Sequence, residues 1–138
     1  MKFYHLVEDA DGISLFEDGE ITFEMTAFAP PAPVLMASDA EDATKLLFLT
    51  LPCGWSGDRH PSPKRQVLFC LSGALLVQAG DGSERTLRAG DVWRMEDTSG
   101  PGHVSTVLGT EEFRAAIVQL EQQPAPRRAA MSADQLDT

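Results

Sequence analysis

Apolar residues along this chain come in short runs separated by Gly, Pro and Asp, and helical periodicity is almost absent. That is the pattern of antiparallel β structure, in which successive side chains alternate between two faces. Residues 21–25 (ITFEM) alternate cleanly and predict a strand with one apolar face. Pro30, Pro31 and Pro33 then lack the N–H that a ladder needs, so residues 28–33 read as an extended surface connector. Residues 45–51 (KLLFLTL) are apolar almost throughout and predict a central strand buried on both faces, ended by Pro52-Cys53-Gly54. Strands at 66–71, 74–78, 84–88, 92–95, 103–108 and 113–120 follow at short intervals. Asp81-Gly82 sits at the centre of one hairpin turn, where positive φ suits glycine. Eight or nine short strands at this spacing predict an all-β jelly roll or small barrel.

The same pattern divides the chain. Residues 1–45 read as an N-terminal arm and proline-rich connector packing on the barrel, and residues 46–120 as the barrel itself. Residues 121–138 read as a polar tail, where Ser132 and Gln135 have the spacing of a capping box and allow a short helix.

Composition narrows the function classes. The 138 residues fit one domain with its own core, and 43% hydrophobic with 23% charged residues is ordinary for a globular protein. The net charge of −10 argues against nucleic acid or an anionic membrane surface as partner, since phosphate binding needs clustered Lys and Arg. No stretch is long and apolar enough to span a bilayer. Acidic residues begin at Glu8, before an apolar signal segment forms, so the expected compartment is the cytoplasm. Cys53 and Cys70 form no CxxC pair and are expected to be buried, reduced thiols.

The candidate chemistry lies with the histidines. His5 is in the arm, whereas His60 and His103 each sit beside a turn at a strand edge. A lone histidine in a β domain is more often structural than functional, but the neighbours here add to it. His60, Ser62 and Gln66 share parity and therefore a strand face, although Pro61 and Pro63 interrupt the regular strand. Gly100-Pro101-Gly102-His103 opens a second strand, and a barrel would bring the two segments together across its interior.

These segments resemble the two motifs of the cupin superfamily. The first family motif, G(X)5HXH(X)3–4E(X)6G, is met in spacing by Gly54, His60, Ser62, Gln66 and Gly73. The second, G(X)5PXG(X)2H(X)3N, corresponds to Gly90, Thr98, Gly100, His103 and Val107, with a loop two residues longer, Thr98 at the Pro position and Val107 replacing the terminal Asn. The segments HPSPKRQ, LSG, AGDVWRMEDTSGPGH and FAPPAP are similar to a subgroup of uncharacterised bacterial cupins. The resemblance covers roughly residues 46–120. It implies a double-stranded β-helix barrel, a homodimer, and a metal held at the positions of three His and one Glu. By position His60 and His103 match that set, while Ser62 replaces the second His and Gln66 replaces the Glu.

The resemblance therefore implies a weak site for one divalent ion, Zn, Fe, Ni or Mn, with His60, Gln66 and His103 as ligands. Such an ion would keep its full charge in a low-dielectric interior unless a carboxylate or anionic substrate balanced it. Asp58 has the right parity for that, although a solvated loop position suits it better. Ser62 is expected to bind water or substrate. Trp93 and Met95 read as core or pocket wall, and Trp55 as a cap on the barrel mouth or a loop anchor. Of the basic pair Lys64 and Arg65, at most one can face the pocket; Arg65 is the candidate for an anionic substrate at the rim. Glu96 and Asp97 could orient a histidine as acceptors, but read better as turn or surface residues.

Three functional expectations follow. The first is a small-molecule-binding cupin whose weak metal site supports chemistry on a small anionic compound. The second is a metal-free cupin that binds or senses a ligand through hydrogen bonds. The third is a structural or interaction domain in which the two histidines only satisfy core hydrogen bonds.

Overall fold

The structure, a computed structural model, describes residues 1–122 and contains twelve strands. They are β1 (Lys2–Glu8), β2 (Ser14–Phe16), β3 (Gly19–Glu20), β4 (Glu24–Thr26), β5 (Leu35–Ala37), β6 (Ala43–Leu51), β7 (Gln66–Ser72), β8 (Ala74–Gln78), β9 (Glu84–Arg88), β10 (Val92–Met95), β11 (Val104–Leu108) and β12 (Phe113–Leu120). The protein is an all-β jelly-roll barrel. One large sheet runs β2-β1-β10-β7-β12-β6, with β3 on the far edge of β1, and a smaller sheet runs β11-β8-β9. The segment after β6 extends the smaller sheet, since Ser56 bridges Thr106 and His60 bridges His103.

The inward faces of both sheets make one core. Leu68 and Cys70 of β7, Trp93 and Met95 of β10, and Phe113, Ala115 and Ile117 of β12 meet Leu75, Val77, Leu87 and Val107 of the smaller sheet. Each is two residues from the next along its strand, as alternation requires. Burying Phe113 or Leu6 completely contributes about 1.5–3 kcal/mol each.

Several expectations change. The segment expected as an arm supplies a sheet strand: β1 pairs in parallel with β10, with Tyr4, His5 and Leu6 opposite Trp93, Arg94 and Met95. The strand at 21–25 shrinks to β4, and the proline segment is not an extended connector. It turns, with Ala32 N–H donating to Ala29 O at 2.9 Å, and joins β4 to β5 in a two-stranded hairpin. The run at 45–51 does form a strand, but β6 is the edge of the large sheet rather than its centre. Only its inner residues Leu49 and Leu51 approach the core, while Leu46 and Phe48 point outward and are exposed. Cys70 is buried, but Cys53 is exposed, and both thiols are free. The proposed capping box at Ser132 and Gln135 lies outside the described residues.

Candidate functional site

His60 and His103 form an antiparallel bridge at the mouth of the barrel. Each backbone N–H donates to the other's carbonyl, at 3.1 and 3.0 Å. Directly opposite residues of such a pair put their side chains on one face. The two imidazoles accordingly lie 5.1 Å apart, tilted by 50°. Gly102 permits this approach: its φ is +86°, and a Cβ there would stand 2.0 Å from the His60 carbonyl oxygen. No other residue fits that position without moving the bridge.

A buried carboxylate organises the pair. Asp97, fully buried, accepts from the Ser62 hydroxyl at 2.7 Å through Oδ1 and from His103 Nδ1 at 2.5 Å through Oδ2. Its backbone carbonyl accepts from Ser62 N–H at 3.0 Å. On the other ring, His60 Nδ1 lies 2.7 Å from the carbonyl oxygen of Asp58. A carbonyl or an ionised carboxylate can only accept, so both Nδ1 atoms carry the hydrogen. Each imidazole therefore turns its Nε2 edge to whatever occupies the site.

Beneath the histidines lies a cavity of about 250 Å³. Leu49 and Leu51 of β6, Leu68 and Leu75, and Phe113 and Ile117 of β12 form its apolar wall. Trp55, Trp93 and Met95 complete that wall, and His60, His103, Gln66 and Ser105 make the polar end. Trp93 is 1% exposed and meets the His103 ring edge-on at 81°, with centroids 5.2 Å apart. Its indole N–H has no acceptor among the described residues. A buried N–H without a partner is costly, and an acceptor brought by a ligand or water would relieve it.

The structure thus gathers His60, Gln66, His103, Trp93 and Met95 of the expected site and leaves out two others. Ser62 is sealed away, its hydroxyl committed to Asp97, so it does not face substrate. Arg65 turns to the outer face of the sheet: it donates to Glu121 O at 2.8 Å and lies 3.5 Å from Glu96. For Ser62 the reason is that Pro61 and Pro63 break the regular strand; Arg65 precedes inward-facing Gln66, so alternation itself turns it outward. Asp97, read as a turn residue, is instead the partner of both Ser62 and His103. Glu96 lies outside the cavity, on the Arg65 side of the sheet. There His5 Nε2 at 3.6 Å and Arg94 Nε at 3.0 Å hold its carboxyl down at about 2. The His5 contact is an ion-pair distance rather than a hydrogen bond, so Arg94 makes the firmer contact.

Two motif segments from opposite halves of the chain therefore meet at one barrel mouth, with the histidines in register.

The fold is cupin-like.

No protein-family model matches the chain, and no curated protein matches it. Among solved structures it is similar to a conserved protein of unknown function from Streptococcus pyogenes, at 20% identity and TM-score 0.43 over 63% of this chain and 71% of that one. A protein from Neisseria meningitidis aligns at 16% identity and TM-score 0.43, over 59% of this chain and 84% of that one. A Salmonella typhimurium protein described as ethanolamine utilization protein Q aligns at 15% identity and TM-score 0.41, over 89% of this chain and 98% of that one. The cupin-like description rests on the barrel's own topology and the bridge between its motif segments.

The residues at the family's metal positions do not fit a resident metal ion. Ser62 is spent on Asp97, and Gln66 Oε1 accepts from Gln119 Nε2 at 3.1 Å while its amide nitrogen lies 3.4 Å from Met95 Sδ. What remains is two neutral imidazole nitrogens. Protein metal sites use three or four good donors. Among the described residues, no group of three or more His, Cys, Asp or Glu side chains could hold an ion. Asp58 does not supply the missing carboxylate; only its backbone carbonyl meets His60.

Proposed function

We propose that the barrel binds a small organic acid directly, without a resident metal, through His60 and His103. The observation that carries this is the contrast between the two ends of one cavity. Its wall is leucine, isoleucine, phenylalanine, tryptophan and methionine, while its polar end presents the imidazoles of His60 and His103. A ligand of matching shape has a compact apolar body and one polar head. A volume of 250 Å³ corresponds to about eight water-sized groups, the scale of a short-chain or monocyclic acid.

A carboxylic acid suits the polar end because it can bring its own proton. Transfer of that proton to Nε2 leaves a carboxylate facing an imidazolium, and Asp97 already sits on the far side of His103 as counter-charge. The ligand arrives neutral and the ion pair forms inside, so no net charge is buried. Binding by this route takes up one proton relative to the free carboxylate, and affinity rises as pH falls.

Thermal shift measurements with benzoate and hexanoate test the proposal, with benzyl alcohol and hexanol as uncharged controls. A ligand present at one hundred times its Kd stabilises by about 2.7 kcal/mol. Both acids are expected to raise the melting temperature more at pH 5.5 than at pH 8, and His103→Ala is expected to remove the effect. Equal shifts from acids and alcohols, or shifts that survive in His103→Ala, would contradict it.

A further inference from the structure

One polar group of the cavity stands apart from the histidines. Ser105 of β11 is two residues along from His103, so the two side chains leave the same face of the chain. Both line the cavity, and Ser105 is only 6% exposed. The other buried polar side chains are paired. Ser14 Oγ donates to Gly102 O at 2.8 Å and accepts from Gly80 N–H at 2.7 Å. Ser62 and His103 both donate to Asp97, and Gln66 Oε1 accepts from Gln119. The Ser105 hydroxyl has no such partner among the described residues. Its backbone carbonyl accepts from Gly57 N–H at 3.0 Å, and the residue opposite on β8 is the apolar Val77. Burying a hydroxyl without a hydrogen bond is costly, and alanine would fill the position without that cost. The hydroxyl makes sense where a ligand supplies the partner.

Strand geometry sets where on the ligand that partner lies. Two residues advance a strand by about 6–7 Å, and side chains stand roughly perpendicular to the sheet. A carboxyl group at His103 is therefore separated from a group at Ser105 by most of the length of a small ligand. On a benzoate skeleton the 3- and 4-positions lie across that interval from the carboxyl group, and the 2-position does not. Beyond the histidines, Gln66 and Ser105 the wall is apolar. An oxygen that misses Ser105 would be buried there unpaired, which weakens binding.

We infer, building on the acid-binding reading above, that the ligand is a bifunctional acid. Its carboxyl group meets His60 and His103, and a hydroxyl or carbonyl oxygen at the far side of its apolar body hydrogen-bonds Ser105. A serine hydroxyl both donates and accepts, so it takes either kind of oxygen. Ser105 thereby selects oxygenated acids over plain ones of the same size.

Calorimetry on the full chain at pH 5.5 tests this with 4-hydroxybenzoate and 4-methylbenzoate, which match in size and differ in the hydroxyl, and with the corresponding 3- and 2-substituted pairs. The readout is the Kd of the methyl compound divided by that of the hydroxyl compound, in wild type and in Ser105→Ala. Losses common to both ligands cancel in that ratio, which isolates the pair of oxygens. The ratio for the 3- or the 4-substituted pair is expected to fall by about 5-fold or more in Ser105→Ala, the worth of the lost hydrogen bond. The ratio for the 2-substituted pair is expected to stay as it is. If benzoate binds but neither the 3- nor the 4-substituted ratio falls, or the 2-substituted ratio falls equally, the role of Ser105 is overturned and the acid reading stands. A Ser105→Ala variant that binds none of the acids also overturns it, since the hydroxyl would then serve the carboxyl end. If wild type binds no acid, the acid reading and this inference fail together.

Discussion

Replacing Asp97 by alanine removes a single carboxylate and strands two buried donors. The Ser62 hydroxyl, 2.7 Å away, and His103 Nδ1–H, 2.5 Å away, both lose their acceptor, and neither side chain is more than 2% exposed. Leaving a buried donor unpaired costs about 1–3 kcal/mol, more where the lost partner was charged. The total loss is therefore about 3–5 kcal/mol, a large share of the 5–15 kcal/mol typical of a folded domain. Asp97→Asn is milder. Its amide oxygen still accepts from Ser62 and its NH2 can donate to a His103 that has moved its hydrogen to Nε2, so a loss of about 1–2 kcal/mol is expected. Urea unfolding followed by tryptophan fluorescence measures both, with the midpoint reporting stability at constant slope. The variants also separate packing from function: Asp97→Asn keeps the fold but removes the counter-charge behind His103, so benzoate should no longer stabilise it. An alanine variant within about 1 kcal/mol of wild type would refute the claim that Asp97 anchors the site.

Two further predictions concern metal and acid. Untagged protein loaded with Zn, Fe, Ni or Mn and then desalted is expected to retain far less than one ion per chain by elemental analysis. Stoichiometric metal that disappears in His60→Ala would contradict the claim that these residues do not hold a resident ion. Glu96 titrates near 2 in the folded protein instead of 4.5, held down first by His5 and then by Arg94. Its contribution is complete above pH 4.5 and lost as pH falls toward 2, and is worth on the order of 2–3 kcal/mol. Urea unfolding of Glu96→Gln against wild type should show the gap at pH 6 and see it close below pH 3; a gap independent of pH would contradict the ion-pair origin.

Much of the barrel was legible because short antiparallel strands announce themselves locally. Strands β8, β9, β10 and β12 match their expected bounds, and each is delimited by glycine or a turn. The facing of His60 and His103 was readable from motif spacing. Other features depend on contacts that no local pattern carries. Strand β1 owes its place to parallel pairing with a strand more than eighty positions away. Asp97 looked like a turn residue because carboxylates are rarely buried, and burial pays only when partners as distant as Ser62 are in place. Prolines 61 and 63 broke the strand that would have put Ser62 beside His60, and Arg65 lies outside because it alternates with inward-facing Gln66. An apolar run such as 45–51 is equally consistent with a central strand and with an edge strand carrying an exposed apolar face, and hydrophobicity alone does not distinguish them.

The most direct test of the site is long-range ¹⁵N–¹H spectroscopy of the histidine side chains during a benzoate titration at pH 5.5. Nε2 of His60 and His103 should shift together and saturate at one acid per chain, both Nδ1 atoms should remain protonated, and His5 should not respond. If benzoate moves only His5, or leaves all three rings unchanged up to millimolar concentration, the cavity does not take acids in the way described.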